Sequence, residues 1–324
     1  MIDIRKIQLQ PLRKRQHDLD LMVIKPLSTK RDVDGTLVKV ARKIVEAKQA
    51  GAATVFMMGA HILRSGVQRY IIDLLSRGYI SCISTNGAGV IHDYEFSLIG
   101  ATTECVAKYI RDGNFGMWTE TGRINEIINK AFPDGPGLGE AVGRAILEGD
   151  FPYKDISLFA QAFKHNIPIT VHVGIGFDII HGHPNFDGAA TGAASNKDFL
   201  TFAGIIRQIQ NGVVMNFGSA VTAPEVFLKA LSMARNIARQ EGQSLNHFTT
   251  LVCDLLDLPS DYSVEAPKGS AAYYFRPWKT MLVRTVADGG TGYYVRGDHA
   301  ETVPALWTAI NMAEGLSPSG DNAK

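Results

Sequence analysis

The sequence predicts an α/β protein with a Rossmann-like, three-layer fold, in which helices flank a mostly parallel sheet. Short apolar runs of strand length alternate with amphipathic segments of helix length along most of the 324 residues. Successive strands are connected by ten or more residues, the length that a crossover between parallel strands needs. Several of the apolar runs end in glycine beside a small polar residue, as strand-to-helix turns do. Together these three observations favour βαβ units.

The predicted elements begin after a polar, proline-interrupted segment over residues 1–34, which we expect to form an N-terminal arm. A helix is predicted from Asp34 to Gly51, because apolar side chains recur three and four residues apart and glycine ends the pattern. Apolar runs at 53–58 and 80–84 are the first two predicted strands. The other elements predicted in this half are helices, at 67–75, 103–111, 121–132, 139–148 and 155–164.

The second half continues the same alternation. Strands are predicted at the apolar runs 168–173, 212–216, 248–253 and 281–283. The helices that accompany them are predicted at 197–210, 222–241 and 299–313. Because no clear linker divides the chain, we expect a single domain over 35–314, followed by a flexible tail at 315–324.

Composition and charge exclude several classes of partner. The chain carries 33 basic and 32 acidic residues, so it has no long-range field to steer nucleic acid or an anionic membrane surface. No apolar run approaches the roughly 20 residues of a membrane span, and the first residues lack a signal-peptide core. Its three cysteines do not suggest a disulfide framework. We expect a cytoplasmic protein that binds neither nucleic acid nor membranes.

The ends of the predicted strands are the candidate binding site, because open parallel sheets bind ligands at the carboxyl ends of their strands. These ends combine glycines with small polar residues, in Gly59-Ala60-His61, Ser84 to Gly89, Gly174 to Asp178, Asn216 to Ser219, and Asp254. Small residues let backbone N–H groups approach a phosphate or ribose, which indicates a nucleotide-type pocket, for NAD. A full G-x-G-x-x-G fingerprint is missing, and glycines also serve tight turns.

Two groups of titratable residues lie in these segments. The first is His92-Asp93-Tyr94-Glu95, which could hydrogen-bond a ribose, hold a cationic substrate or transfer a proton. The same residues would equally form the acidic first turn of a helix.

The second group contains Asp178, His181 and His183. A metal site would need a further ligand that the sequence does not offer, so no metal is expected. We expect Asp178 and His181 to hold an amine or hydroxyl group. Two later residues also stand out: Asp298 as a helix N-cap, and Lys279 as an edge charge or, if desolvated, a nucleophile.

Several segments resemble one known family in a consistent order. They are Phe56 to Gly66, Ser84 to Asp93, Asn114 to Trp118, Pro168 to His181, Gly212 to Val214 and Gly297 to Pro304. The second of them, for example, is similar to the Thr-Thr-Ala-Gly-Gly-Val-Glu-Glu-Asp segment of deoxyhypusine synthases. The chain therefore resembles the deoxyhypusine synthase family over about residues 35–312.

The resemblance implies an NAD-binding domain that oxidises spermidine, a lysine that carries the aminobutyl group as an imine, and a homo-oligomer. Asp178 and His181 would face the amine. The residues expected around NAD are Gly59, Ala60, His61, Thr85, Asn86, Gly87, Asp93, Asn216, Asp254, Asp298 and His299. One departure concerns Lys279, which follows Trp278 directly where the family has an intervening glycine, and the acidic, glycine-rich stretch before it is absent.

The leading hypothesis is an NAD-dependent enzyme that dehydrogenates a small amine or polyamine, with aminoalkyl transfer as a further step. Its catalytic residues would be Asp178, His181 and Lys279, and it would form a homo-oligomer, a tetramer or a dimer. Two alternatives remain open. One is a hydrolase or lyase that uses the same pocket without redox chemistry, and the other is a nucleotide-binding protein that catalyses nothing.

Overall fold

Parallel strands form the central sheet of the protein. The computed structural model describes residues 2–133 and 135–316, so the predicted tail beyond residue 316 lies outside the described residues. Within this part of the chain the strands are β1 (Leu19–Asp20), β2 (Thr54–Met58), β3 (Cys82–Asn86), β4 (Ala101–Thr102), β5 (Ile169–His172), β6 (Val213–Phe217), β7 (Thr249–Asp254) and β8 (Thr291–Arg296).

Six of these strands form one parallel sheet in the order β5-β3-β2-β6-β7-β8. The chain starts at β2, moves outward through β3 and β5, and then returns to place β6 on the other side of β2. The connections that follow β2 and β6 therefore run towards opposite edges of the sheet. The position between β2 and β6 is thus the switch point of a doubly wound sheet. The predicted fold class, a Rossmann-like α/β fold, is confirmed.

Helices cover both faces of the sheet. They are α1 (Gly35–Ala50), α2 (His61–Arg64), α3 (Gln68–Ser76), α4 (Gly87–Ile99), α5 (Val106–Tyr109), α6 (Arg123–Ala131), α7 (Leu138–Glu148), α8 (Leu158–Lys164), α9 (Gly188–Ile206), α10 (Thr222–Gln240) and α11 (His299–Ala313). Alternate residues of each strand face opposite layers, as the pleat requires. In β2, Phe56 and Met58 pack towards α1, α3 and α11, whereas Val55 and Met57 pack towards α9 and α10.

Short polar side chains begin the helices that follow the strands. Asn86 accepts a hydrogen bond from the Gly89 N–H at the start of α4, and Asp298 accepts one from the Ala300 N–H at the start of α11. The predicted N-cap at Asp298 is confirmed. Such caps satisfy backbone donors that a helix leaves free, so they fix where each helix begins. Among the described helices, none combines the length and apolarity that crossing a bilayer requires.

The last predicted strand is wrong. Residues 281–283 belong to a π-helix, Pro277–Arg284, in which Met281 and Leu282 are buried against β7 and α10. The true last strand, β8, lies at the edge of the sheet and is largely half-exposed. A half-exposed edge strand needs no apolar run, so the sequence of β8 carries a weak signal, whereas three apolar residues in a row suit a strand or a helix equally.

Two helices were also misjudged. α4 starts at Gly87, so His92 and Glu95 lie in its middle rather than in a first turn. Most residues of α4 are themselves buried, so the helix lacks the polar face that would reveal helical periodicity in the sequence. α9 starts at Gly188, nine residues before the predicted start at 197, because its glycine- and alanine-rich first half offers little apolar contrast.

The segment before α1 is attached to the body at several points. β1 pairs antiparallel with β4, and Gln10 forms a bridge with Trp118. The Arg15 guanidinium is buried and donates to both carboxylate oxygens of Glu95, at 2.8 and 2.7 Å. This segment therefore reaches the interior beside α4.

Candidate functional site

The turns after β2 and β6 meet at the switch point with no room for a side chain between them. A Cβ on Gly59 would lie 2.5 Å from the carbonyl oxygen of Gly218, and one on Gly218 would overlap the His299 ring. Gly218 also has φ +68°, which favours glycine. The two turns therefore present backbone atoms rather than side chains at the place where doubly wound sheets bind nucleotides.

His299 and two carboxylates lie next to these turns. His299 is buried, and among the described residues its Nδ1 has no hydrogen-bond partner. Burial lowers the pKa of His299, and the nearby charges of Asp254 and Asp298 act in the opposite direction. Asp254 ends β7 and Asp298 precedes α11, so the ends of the neighbouring elements bring these three predicted residues together. An unpartnered buried nitrogen is costly, and a bound hydroxyl or amide would satisfy it.

His61 lies between this edge and a neighbouring cavity. It is the first residue of α2, which contacts both α4 and α11. Burial lowers the pKa of His61; the positive charge of Arg64 adds to this, and Asp298 opposes it. Burial also lowers the pKa of His92 in α4, where the charges of Arg64 and His61 both act in the same direction as burial. His61 is thus electrostatically linked to both regions.

A cavity of about 330 Å³ opens beside α4, on the side of the sheet that carries β3 and β5. Its apolar walls include Phe115, Phe177 and Ile179. The charged and polar residues that line it are Arg15, Asp18, Arg64, His92, Glu95, Thr103, Glu104 and Asp178. This volume suits a small molecule. Of the residues that the sequence assigned to catalysis or to NAD, only Asp178 lines this cavity, where it is joined by His92 and Glu95 of the first titratable group, whereas Gly59, Asp254 and His299 lie outside it.

Asp178 and His181 form one unit at the start of α4. The Asp178 carboxylate lies so close to Gly87 that a Cβ there would overlap it. His181 Nδ1 accepts hydrogen bonds from the backbone N–H groups of Gly176 and Asp178, at 3.0 and 3.2 Å. Its proton therefore resides on Nε2, 3.7 Å from Asp178 Oδ2. Burial raises the pKa of Asp178 to about 6 and lowers the pKa of His181, so a carboxylate faces a neutral ring at pH 7.

The cavity has an excess of negative charge. Arg15 and Glu95 neutralise each other, which leaves the carboxylates of Asp18, Glu104 and Asp178 against the single guanidinium of Arg64. Glu104 Oε1 accepts hydrogen bonds from the Gly116 N–H and from Trp118 Nε1, both at 2.9 Å, but Oε2 is buried without a partner among the described residues. A cationic ligand could therefore pair with the carboxylates of Asp178 and Glu104.

Two predicted cofactor contacts serve the protein's own structure instead. Asp93 is buried and accepts hydrogen bonds from the Ser157 hydroxyl and the Leu158 N–H, at 2.5 and 2.7 Å, which joins α4 to the start of α8. Asn216 accepts a hydrogen bond from the Ser219 N–H and donates one to the Ser219 carbonyl, so it shapes the turn after β6. Both side chains are held by partners within the protein and are not part of the binding site proposed below.

Lys279 lies away from the cavity. It is buried in the π-helix, on the face of the sheet that α10 covers, and its Nζ lies 3.6 Å from the centre of the Tyr273 ring. It does not line the cavity beside α4, so the structure does not bring it together with Asp178 and His181.

Sequence reasoning left out Arg64 and Glu104 and kept His92 only as one of two alternatives. Arg64 follows β2 by six residues, and Glu104 follows the two-residue strand β4, so neither stands at a recognisable strand end. Only the folded chain brings them to one cavity. No group of three or more His, Cys, Asp or Glu residues within the described ranges could hold a metal ion.

Comparisons with known proteins define the class of protein by fold. No family model and no curated protein matches the chain. The arginine dihydrolase ArgZ of the ornithine–ammonia cycle in cyanobacteria is 14% identical and aligns over 88% of this chain and 32% of its own, with a TM-score of 0.51. AgrE, in a complex with ornithine and NAD+, is 13% identical over 90% of this chain and 35% of its own, with a TM-score of 0.50.

A putative deoxyhypusine synthase from Entamoeba histolytica is 10% identical over 86% of this chain and 87% of its own. Its TM-score of 0.42 is too low to support a conclusion about this chain. The chain spans about a third of the length of ArgZ and AgrE. At these identities the likeness shows a shared α/β fold and nothing finer.

Proposed function

We propose that this protein is an NAD-dependent enzyme that oxidises a small amine or polyamine at the carboxyl edge of its sheet. The observation that carries the proposal is the position of the negatively charged cavity. It reaches Arg64 at the end of α2, the helix that follows β2, and so adjoins the β2/β6 switch point where doubly wound sheets bind nucleotides.

The residues at the switch point fit a dinucleotide. Gly59 and Gly218 keep the turns after β2 and β6 closely packed at this edge, and Asp254 and Asp298 beside them would accept hydrogen bonds from ribose hydroxyls. Two buried polar atoms that have no partner among the described residues, His299 Nδ1 and Thr85 Oγ1, support a ligand at this edge. His61, Ala60, Asn86 and Gly87 would complete the surroundings. When bound, NAD would supply the hydride acceptor.

The cavity beside α4 would hold the amine. Asp178 would pair with an ammonium group, and this pairing would offset the burial that raises the pKa of Asp178. Glu104 offers a second carboxylate, which suits a diamine or polyamine, while Phe115 and Ile179 would contact its methylene groups. His181 Nε2 lies 3.7 Å from Asp178 Oδ2, too far for a hydrogen bond, so its N–H would act on the carboxylate only as a nearby dipole.

The solved structures add support at the level of the fold. AgrE holds NAD+ and ornithine in one crystal, and ornithine carries a side-chain amine. We extend the nucleotide and the amine, but no particular substrate, to this chain. Because Lys279 lies away from the cavity, we propose no covalent step through it.

The proposal is tested by adding NAD+ and a panel of diamines, polyamines and diamino acids to the purified protein and following absorbance at 340 nm. We expect an increase that depends on both NAD+ and one class of amine. Asp178→Asn should lower kcat/KM at least about 10-fold, the loss expected when a charged hydrogen bond is removed. The exposed Asp112, which does not line the cavity, provides a matched control, and Asp112→Asn should retain the parent rate.

Two results would contradict the proposal. NAD+ binding without reduction by any amine would indicate a nucleotide-binding protein without catalysis. Consumption of an amine in the absence of NAD+ would indicate a hydrolase or lyase.

A further inference from the structure

Glu95 anchors a hydrogen-bond network inside the protein, next to the cavity. Its carboxylate is buried and accepts from both Arg15 nitrogens, from the Thr121 hydroxyl at 2.7 Å and from the Thr102 hydroxyl at 2.7 Å. Burial alone would raise the pKa of Glu95, but the hydrogen bonds and charge of Arg15 outweigh it and hold the pKa below its ordinary value. Glu95 is therefore an ionised group that can only accept hydrogen bonds.

This state of Glu95 fixes the state of His92. Thr102 has one hydroxyl hydrogen, and it is donated to Glu95. His92 Nδ1 lies 2.8 Å from the same Thr102 oxygen, so Nδ1 must be the donor of that hydrogen bond. A neutral imidazole with its proton on Nδ1 carries a lone pair on Nε2. No described residue donates to that lone pair, and His92 lines the cavity.

His92 also remains neutral. Burial lowers its pKa to about 4; Glu95 opposes this, and the positive charges of Arg64 and Arg15 and the ring of His61 add to it. Of the carboxylates that line the same cavity, Asp178 lies over Gly87, five residues before His92 on α4. The Asp178 carboxylate and the His92 ring thus line one cavity, so a ligand bound in it would meet both side chains.

We infer that His92 Nε2 is a permanent hydrogen-bond acceptor for the substrate's ammonium group, and that Thr102 and Glu95 are positioning residues that fix its tautomer. The inference rests on the proposed function and names its substrate class. Asp178 would supply the charge and His92 an uncharged acceptor, so the ligand needs at least two N–H groups on one nitrogen. A primary ammonium meets this need, whereas a trimethylammonium group does not.

The tautomer is tested first, without ligand, by NMR of protein labelled with ¹⁵N-histidine. We expect His92 to carry its proton on Nδ1 and to stay neutral down to about pH 5. Thr102→Ser should keep this tautomer, because it keeps the hydroxyl, and Thr102→Val should lose it. A wild-type His92 with its proton on Nε2 would overturn the inference whether or not the protein turns over.

Binding is then measured by calorimetry with a primary diamine and its bis-trimethylammonium analogue. The diamine should bind at least about 10-fold more tightly, the value of a hydrogen bond to a charged group. His92→Asn keeps a donor towards Thr102 but has no acceptor at the position of Nε2, and should lose this preference, whereas His165→Asn, at an exposed site, should keep it. Equal affinity for the two ligands in the wild type would overturn the inference. Preferential diamine binding without NADH formation would instead contradict the proposed function alone.

Discussion

The buried ion pair between Arg15 and Glu95 is the residue-scale feature on which the cavity depends most. Both side chains are almost fully buried, at 2% and 1% exposure. Arg15→Met would leave the Glu95 carboxylate buried without its counter-charge, and should cost about 3–5 kcal/mol of unfolding free energy. Urea denaturation measures this loss.

Arg207 is a matched control for that experiment. It also donates to both oxygens of a glutamate, Glu241, but the pair is exposed at 43% and 41%. Arg207→Met should cost at most about 1 kcal/mol. Similar losses for the two variants would contradict the role given to the buried pair.

The raised pKa of Asp178 predicts a dependence of stability on pH. Burial raises this pKa to about 6 from 3.8, so between pH 4 and 6 the native state binds a proton that the unfolded state releases. The stability contributed by the protonated form is therefore lost as the pH rises through 6. Asp178→Asn should be more stable than the parent by about 3 kcal/mol at pH 7.5 and equal to it below pH 4.

Urea denaturation of the parent and of Asp178→Asn at pH 4 and at pH 7.5 measures this difference. A variant that is less stable than the parent at pH 7.5 would show that the carboxylate is stabilised by partners and not strained by burial.

The sequence indicated some site residues and hid others for physical reasons. Asp178 and His181 were predicted because they follow a glycine loop after a strand, and the structure brings them together. Asp93 has the same sequence context, but one further residue along α4 turns a side chain from the cavity, where His92 lies, to the interface with α8. The direction of a helical side chain depends on where the helix begins, and the sequence did not reveal the start of α4.

At the scale of the secondary-structure elements, the close contact between the turns after β2 and β6 can be tested by substituting its glycines. A Cβ on Gly59 would press on the backbone oxygen of Gly218, which cannot rotate away. Gly59→Ala should therefore cost about 1–3 kcal/mol of unfolding free energy through overpacking. Thermal denaturation of the variant and the parent measures it.

Gly192 provides the matched glycine. It lies in the exposed face of α9 with nothing within 4 Å of an added Cβ. Gly192→Ala should stabilise the protein by about 0.5–1 kcal/mol, because alanine is the better helix former. If both substitutions shift stability in the same direction, the close contact at the switch point is not present in solution.

Strands buried on both faces were predictable, and the half-exposed strand β8 at one edge was not. β2, β6 and β7 are buried along almost their whole length, and each was placed within one residue of its observed ends. β8 has one neighbour and is half-exposed, so its Tyr293 and Tyr294 carry little of the pattern that defines a core strand. The order of the strands in the sheet could not be derived from the sequence, since pairing joins segments far apart along the chain.

At the scale of the whole molecule, the N-terminal segment and the sheet domain should unfold together. Trp118 contacts this segment through the bridge to Gln10, whereas Trp307 in α11 donates to Asp73 in α3. Double variants that leave only Trp118 or only Trp307 should give the same fluorescence midpoint in urea, because Arg15 joins the segment to the interior. A lower midpoint at Trp118 would show that the segment detaches first.

The central claim is that the ends of the central strands bind NAD. Hydrogen–deuterium exchange with and without NAD+ tests it most directly, since a nucleotide at the switch point would protect the backbone that it contacts. We predict slower exchange at the turns after β2 and β6, at the end of β7 and at the start of α11. Unchanged exchange there at saturating NAD+, or protection confined to the opposite edge of the sheet, would contradict the account.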